Sequence, residues 1–102
     1  MYTVHMKGFR FEWNTRKANA NLKKHGVSFE EARTVFFDEC AIQFHDPDHS
    51  VDEDRFIMLG TSVKLNTLIV CHCFREDETL IRIISARKAD REEEQAYWSL
   101  RS

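Results

Sequence analysis

Thr67-Leu68-Ile69-Val70-Cys71-His72-Cys73-Phe74, then Arg75-Glu76-Asp77-Glu78, then Thr79-Leu80-Ile81-Arg82-Ile83-Ile84-Ser85-Ala86-Arg87: two apolar runs rich in β-branched residues, joined by four charged ones. Runs of this length and composition read as strands, and a link too polar for a sheet interior marks the turn between them. Arg55 to Thr61 is a further run, connected through Lys64-Leu65-Asn66, which suits a hairpin. These three consecutive strands with short links predict an antiparallel meander. Ala41 to His45 is a fourth strand-like run, and Asp46-Pro47-Asp48 opens the loop after it.

Working outward, Lys7 to Trp13 alternates apolar and polar residues and predicts a half-buried strand. Asn14 can cap a helix over 14 to 25 whose last turn carries Lys23, Lys24 and His25, cations favoured at the negative end of the helix dipole. Gly26 can take the left-handed position beyond it. Ser28 and Glu31 have capping-box spacing, and Phe29, Ala32, Val35 and Phe36 then share one face of a second helix running to about Phe37. Asp90 and Glu93 form a second such box, opening a helix that ends near Trp98 with Ala96 and Tyr97 as its apolar contacts. The predicted order is β-α-α-β-β-β-β-α. Helices segregated from a run of strands indicate an α+β fold, a mostly antiparallel sheet with the two N-terminal helices on one face. No repeat or linker interrupts residues 1–102, so one domain is expected.

Composition excludes several classes. With 102 residues, 42% hydrophobic, three Gly and one Pro, the chain is neither collagen-like nor low-complexity. No apolar run approaches the roughly 20 residues of a bilayer span, and Met1 to His5 lacks the plan of a signal peptide, so a cytoplasmic protein with no membrane association is expected. Three cysteines, two of them at Cys71 and Cys73, read as reduced thiols. The net charge of −2 hides segregation: Arg16, Lys17, Lys23 and Lys24 fall between Asn14 and Phe29 with no acid among them, whereas Asp38 to Asp54 holds seven acids and no Lys or Arg.

Gly-rich phosphate loops and Gly-x-Ser-x-Gly elbows are absent. An EF-hand begun at Asp46 would need Gly and Glu where Val51 and Ile57 stand. His45 with His49, or Cys71 with Cys73, lacks a second ligand pair of recognised spacing, so no metal or cofactor is expected. The second helix carries Glu30 and Glu31 with Arg33 its one base, which argues against DNA reading. Arg82 amid Leu80, Ile81, Ile83 and Ile84 has two readings: an exposed strand face with a carboxylate partner, or part of an anion site with Arg55 and Arg87, because guanidinium groups stay charged and grip phosphate with two prongs.

Phe11-Glu12-Trp13-Asn14, Asn21-Leu22-Lys23-Lys24-His25-Gly26-Val27-Ser28-Phe29-Glu30-Glu31-Ala32, Asp46-Pro47-Asp48-His49-Ser50, Glu53-Asp54-Arg55-Phe56, Gly60 and Arg82-Ile83-Ile84-Ser85-Ala86-Arg87-Lys88-Ala89 together closely resemble the BrnT family of bacterial toxins, in order and over about residues 9 to 98. The resemblance implies a RelE-like fold, ribonuclease activity within a type II toxin–antitoxin pair, neutralisation by a BrnA-type antitoxin, and contact with DNA only through that antitoxin. It also implies metal-independent cleavage of RNA by attack of a 2′-OH on the adjacent phosphate. On that reading Arg55, Arg82 and Arg87 hold the phosphate, His25 transfers protons with His72 in reserve, and Lys24 shares the electrostatic stabilisation. Strict alternation puts Arg82 and Arg87 on opposite faces unless the strand bulges between them. The alternative is a non-enzymatic module that binds an antitoxin and acts with it as a co-repressor.

Overall fold

The computed structural model describes residues 2–6, through their backbone, and residues 9–100. Strands β1 (Tyr2–Met6), β2 (Phe9–Trp13), β3 (Ile42–His45), β4 (Phe56–Thr61), β5 (Thr67–Arg75) and β6 (Leu80–Lys88) form one sheet in the order β1-β2-β6-β5-β4-β3. Helices α1 (Thr15–His25) and α2 (Phe29–Thr34) separate β2 from β3, and α3 (Arg91–Ser99) follows β6. The architecture is α+β, with β4 to β6 an antiparallel meander as the turn chemistry predicts, and β3 pairs antiparallel with β4 beyond it. The sole parallel pairing among the described residues joins β2 to β6, from Arg10↔Leu80 to Glu12↔Arg82.

One strand precedes those predicted: β1 pairs antiparallel with β2, from Tyr2↔Trp13 to Met6↔Phe9. Lys7 and Gly8, part of the first predicted strand, lie outside the described residues. Within β2 the alternation has its expected effect, since Phe11 and Trp13 are buried in the core.

The predicted caps hold α1. Asn14 accepts from the Lys17 amide at 3.1 Å, and Gly26, at φ 71°, ends the helix with its amide on the Leu22 carbonyl. The left-handed backbone there is the reason for glycine at 26. α3 opens with both halves of its capping box, Asp90 on the Glu93 amide and Glu93 on the Asp90 amide. α2 differs: Ser28 caps the Glu31 amide, but the Glu31 carboxylate turns away and accepts from Ser62 Oγ at 2.7 Å and Asn66 Nδ2 at 2.8 Å. That nearly buried carboxylate ties α2 to the β4–β5 turn instead of closing a box.

α1 and α2 cover one face of the sheet over Phe11, Trp13, Val27, Phe29, Leu68, Val70, Ile81 and Ile83. Asn21 of α1 seals this face. Pairing of β2 with β6 ends at Arg82, and the Asn21 amide takes over further along β6, accepting from the Ala86 N–H at 3.1 Å and donating to the Ala86 carbonyl at 2.8 Å. α3 docks on the opposite face through Tyr97, which packs with Leu59 and Ile69 and donates a short hydrogen bond to Asp38. Ala96, expected to pack, is exposed, and Trp98 is about half exposed.

Candidate functional site

The face opposite α1 and α2 carries the polar chemistry, and a bulge arranges it. From Leu68↔Lys88 to Cys71↔Ser85 the β5–β6 register is regular, and it then shifts so that His72 lies opposite Ile83, leaving Ile84 without a partner on β5. Arg87 lies opposite Ile69 and Arg82 opposite Cys73. Ile69, Cys71 and Cys73 alternate onto one face of β5, so the extra residue turns both arginines to the same side of the sheet. Strict alternation fails here for that reason.

A cleft of about 280 Å³ opens on this face beside the bulge. Asp46 and His49 of the β3–β4 loop, Arg55 ahead of β4, Cys71 of β5, and Ser85 and Arg87 of β6 line it, with Ile57, Ile69 and Ile84 as apolar wall. The loop is pinned at its base. The Asp46 amide donates to the Arg55 carbonyl at 2.8 Å, and Ser50 Oγ accepts from the Arg55 amide at 2.9 Å while donating to the Asp46 carbonyl. The Asp46 carboxylate, itself largely buried, takes His49 Nδ1 at 2.9 Å.

Arg55 is the distinctive group. Its Nε is buried with no hydrogen-bond acceptor among the described residues, and no carboxylate there forms an ion pair with it. With no carboxylate of its own among the described residues, the guanidinium keeps its charge for an anion that enters the cleft. The positive charge is felt nearby: burial raises the Cys71 thiol pKa, and the Arg55 charge opposes that rise.

The other arginines are committed. Arg87 lines the same cleft but forms a two-pronged pair with Glu93, at 2.8 Å on both nitrogens, which raises the arginine's pKa and lowers the glutamate's. Arg82 sits about 13 Å along the strand from Arg87, the span of the four β5 steps from Ile69 to Cys73 at roughly 3.3 Å each, and pairs with Glu12 at 3.3 Å. Arg75 approaches the same carboxylate at 3.8 Å and reaches Glu53 at 3.1 Å. That end of the face is a neutralised network, and Arg82 is not part of the cleft lining.

Lys24 and His25 end α1 on the other side of the sheet, and neither lines the cleft. The expected convergence of these two with the arginines is not found, because α1 packs on the face that the bulge turns Arg82 and Arg87 away from. His72 is fully buried on that covered face among Phe36, Phe56 and Phe74. Its Nδ1 lies 3.1 Å from the Val70 carbonyl and its Nε2 2.9 Å from the Gln43 side chain, and burial lowers its pKa to about 4. A neutral imidazole donates once, so with Nδ1–H on Val70 the Gln43 amide must present its NH₂ to Nε2. His49, which the sequence offered only as a metal ligand, is the histidine at the cleft. Its signal was the spacing Asp46-x-x-His49 after the β3 run.

The family described as "Ribonuclease toxin, BrnT, of type II toxin-antitoxin system" matches residues 13–93. Among solved structures, the 1.1 Å-resolution crystal structure of the Brucella abortus ribonuclease toxin BrnT is similar at a TM-score of 0.60 and 22% identity, over 79% of this chain and 96% of that one. At that identity the likeness speaks to the fold. A search of curated proteins returns no match.

Proposed function

The chain belongs to the BrnT family of ribonuclease toxins of type II toxin–antitoxin systems, and on that premise we propose that it is a cytoplasmic, metal-independent endoribonuclease whose cleft at Arg55 holds the scissile phosphodiester. The observation that carries this reading is the unpaired, partly buried guanidinium of Arg55 in a concave site lined by both polar and apolar side chains. Arg55 binds a phosphate oxygen and stabilises the charge that develops on it as the neighbouring ribose 2′-OH attacks. Arg87, held in place by Glu93, adds a second donor edge at the rim. Attack leaves a 2′,3′-cyclic phosphate and a free 5′-OH, and DNA is inert because it has no 2′-OH.

A BrnA-type protein antitoxin neutralises the toxin, and DNA is met only through that partner. The deciding experiment incubates the purified chain with RNA in EDTA and maps the ends. Cleavage with cyclic-phosphate termini is the expected result. Intact RNA throughout would favour a module that binds an antitoxin and represses with it, and cleavage only after adding a divalent ion would overturn metal independence.

A further inference from the structure

Two histidines meet carboxylates, His45 on Asp54 at 3.2 Å and His49 on Asp46 at 2.9 Å, but they differ in what is left over. His45 uses Nε2 for its partner, and that nitrogen also lies near Ser50 Oγ at 3.3 Å, away from the cleft lining. His49 uses Nδ1 and keeps Nε2 without a partner among the described residues, at the wall of the cleft that contains Arg55. Asp46 is positioned for this. Its side chain is 13% exposed against 66% for His49, so the carboxylate is buried behind the ring while the ring faces solvent and cleft. An imidazole whose Nδ1–H is held by a carboxylate carries its lone pair on Nε2 and is oriented to accept a proton there.

Resting on the ribonuclease reading above, we propose that His49 is the general base of this cleft and Asp46 its positioning residue, acting on the ribose 2′-OH beside a phosphate bound to Arg55. The step balances as follows: the 2′-O–H proton moves to His49 Nε2 while the 2′-oxygen forms its bond to phosphorus; the P–O5′ bond breaks with its electron pair on the 5′-oxygen. That oxygen takes a proton from water, and His49 returns its own to water. Geometry favours this histidine over His25, which lies across the sheet, and over His72, whose two nitrogens are both engaged.

Asp48, Asp52, Glu53, Arg55, Cys71 and Arg87 line the same hollows as His49. The carboxylate in direct contact with the ring is Asp46, so its removal is what frees the ring to turn.

The test compares wild type, Arg55→Ala, His49→Ala and Asp46→Asn as full chains on RNA in EDTA, with thermal unfolding confirming that each is folded. Loss of a general base is expected to slow cleavage about 10²- to 10⁴-fold in His49→Ala, and Asp46→Asn should slow it less, through kcat with KM unchanged. A substrate with sulfur at the bridging 5′ position, whose leaving group needs no proton, should be cut as poorly by His49→Ala relative to wild type as ordinary RNA is. Rescue on that substrate would overturn the base assignment. If wild type cleaves, Arg55→Ala fails and His49→Ala matches wild type, the dyad falls and the ribonuclease reading stands. If wild type leaves RNA intact, both fall together.

Discussion

The two faces of the sheet use the same residue types to opposite ends. On the covered face His72 is packed among three phenylalanines with both ring nitrogens engaged, and Asn21 closes the ladder beside it. On the open face His49 and Arg55 each keep a donor or acceptor unspent. The open face itself divides, since its Arg82 end is a closed set of ion pairs with Glu12, Arg75 and Glu53. A histidine or arginine in this fold is thus structural or chemical according to whether the neighbouring strands supply its partners, and residue type alone does not decide it.

The sharpest way to break the division is to compare two arginines. Arg55→Ala should lower RNA cleavage by roughly 10²–10³-fold, about 2.7–4 kcal/mol of transition-state stabilisation, whereas Arg82→Ala should stay within about threefold. Initial rates on one RNA substrate at equal concentrations of folded protein measure both. An Arg82→Ala loss as large as that of Arg55→Ala would mean that the paired end takes part in the chemistry.

The covered face predicts a pH effect on stability. His72 titrates at about 4 when folded against 6.5 when exposed, so below pH 6.5 the unfolded chain takes up a proton that the folded one refuses. The contribution is whole above about pH 6.5 and is lost as pH falls towards 4, on the order of 3 kcal/mol in total. Urea unfolding across that range should show it, and His72→Gln should flatten that part of the slope. An unchanged slope in His72→Gln would place the titrating group elsewhere. Asn21→Ala should cost somewhat less, about 2 kcal/mol, because it strips partners from the Ala86 N–H and from the Val27 and Ala86 carbonyls. A denaturant midpoint within error of wild type would show that another group takes over the ladder at Ala86.

The split between the faces also explains what the sequence could and could not convey. The β5–β6 hairpin, Asn14, Gly26 and the Asp90–Glu93 box were legible because each depends on residues within a few positions of one another. β1 was not, since its pairing is set by β2 and its own five residues carry no turn or cap signal. The bulge entered only as a condition for Arg82 and Arg87 to share a side, because Ile83 and Ile84 are both apolar and alternation through them has no visible break. Its consequence, Arg82 and Arg87 on one side, therefore had to come from the register. The partners of Arg82 and Arg87 show the same limit at different ranges: Glu93, six residues on, lay within reach of local reading, while Glu12, 70 residues away, was brought by the parallel pairing of β2 with β6. The cleft joins a loop, β5 and β6, so His49 read as a loop ligand and His25, at a helix end, as the proton carrier.

The smallest expected effect tests whether the paired end of the open face is only scaffolding. The turn that joins β5 to β6 there holds Glu76, Asp77 and Glu78 at φ of 50°, 57° and 67°, three consecutive side-chain-bearing residues in the left-handed region. Glu76 and its neighbour Thr79 are tied down, through the ion pair with Arg10 and through the bonds from the Thr79 amide and hydroxyl to the Glu76 carbonyl, but Asp77 is exposed and makes no such bond among the described residues. Glycine takes this backbone without the steric penalty, at the cost of a more flexible unfolded chain, so the two terms partly cancel. Asp77→Gly should therefore raise stability by only about 0.5 kcal/mol in urea unfolding and leave RNA cleavage unchanged. A stabilised variant with altered cleavage would show that motion of this turn reaches the cleft, and the open face would then have to be treated as one working surface instead of two.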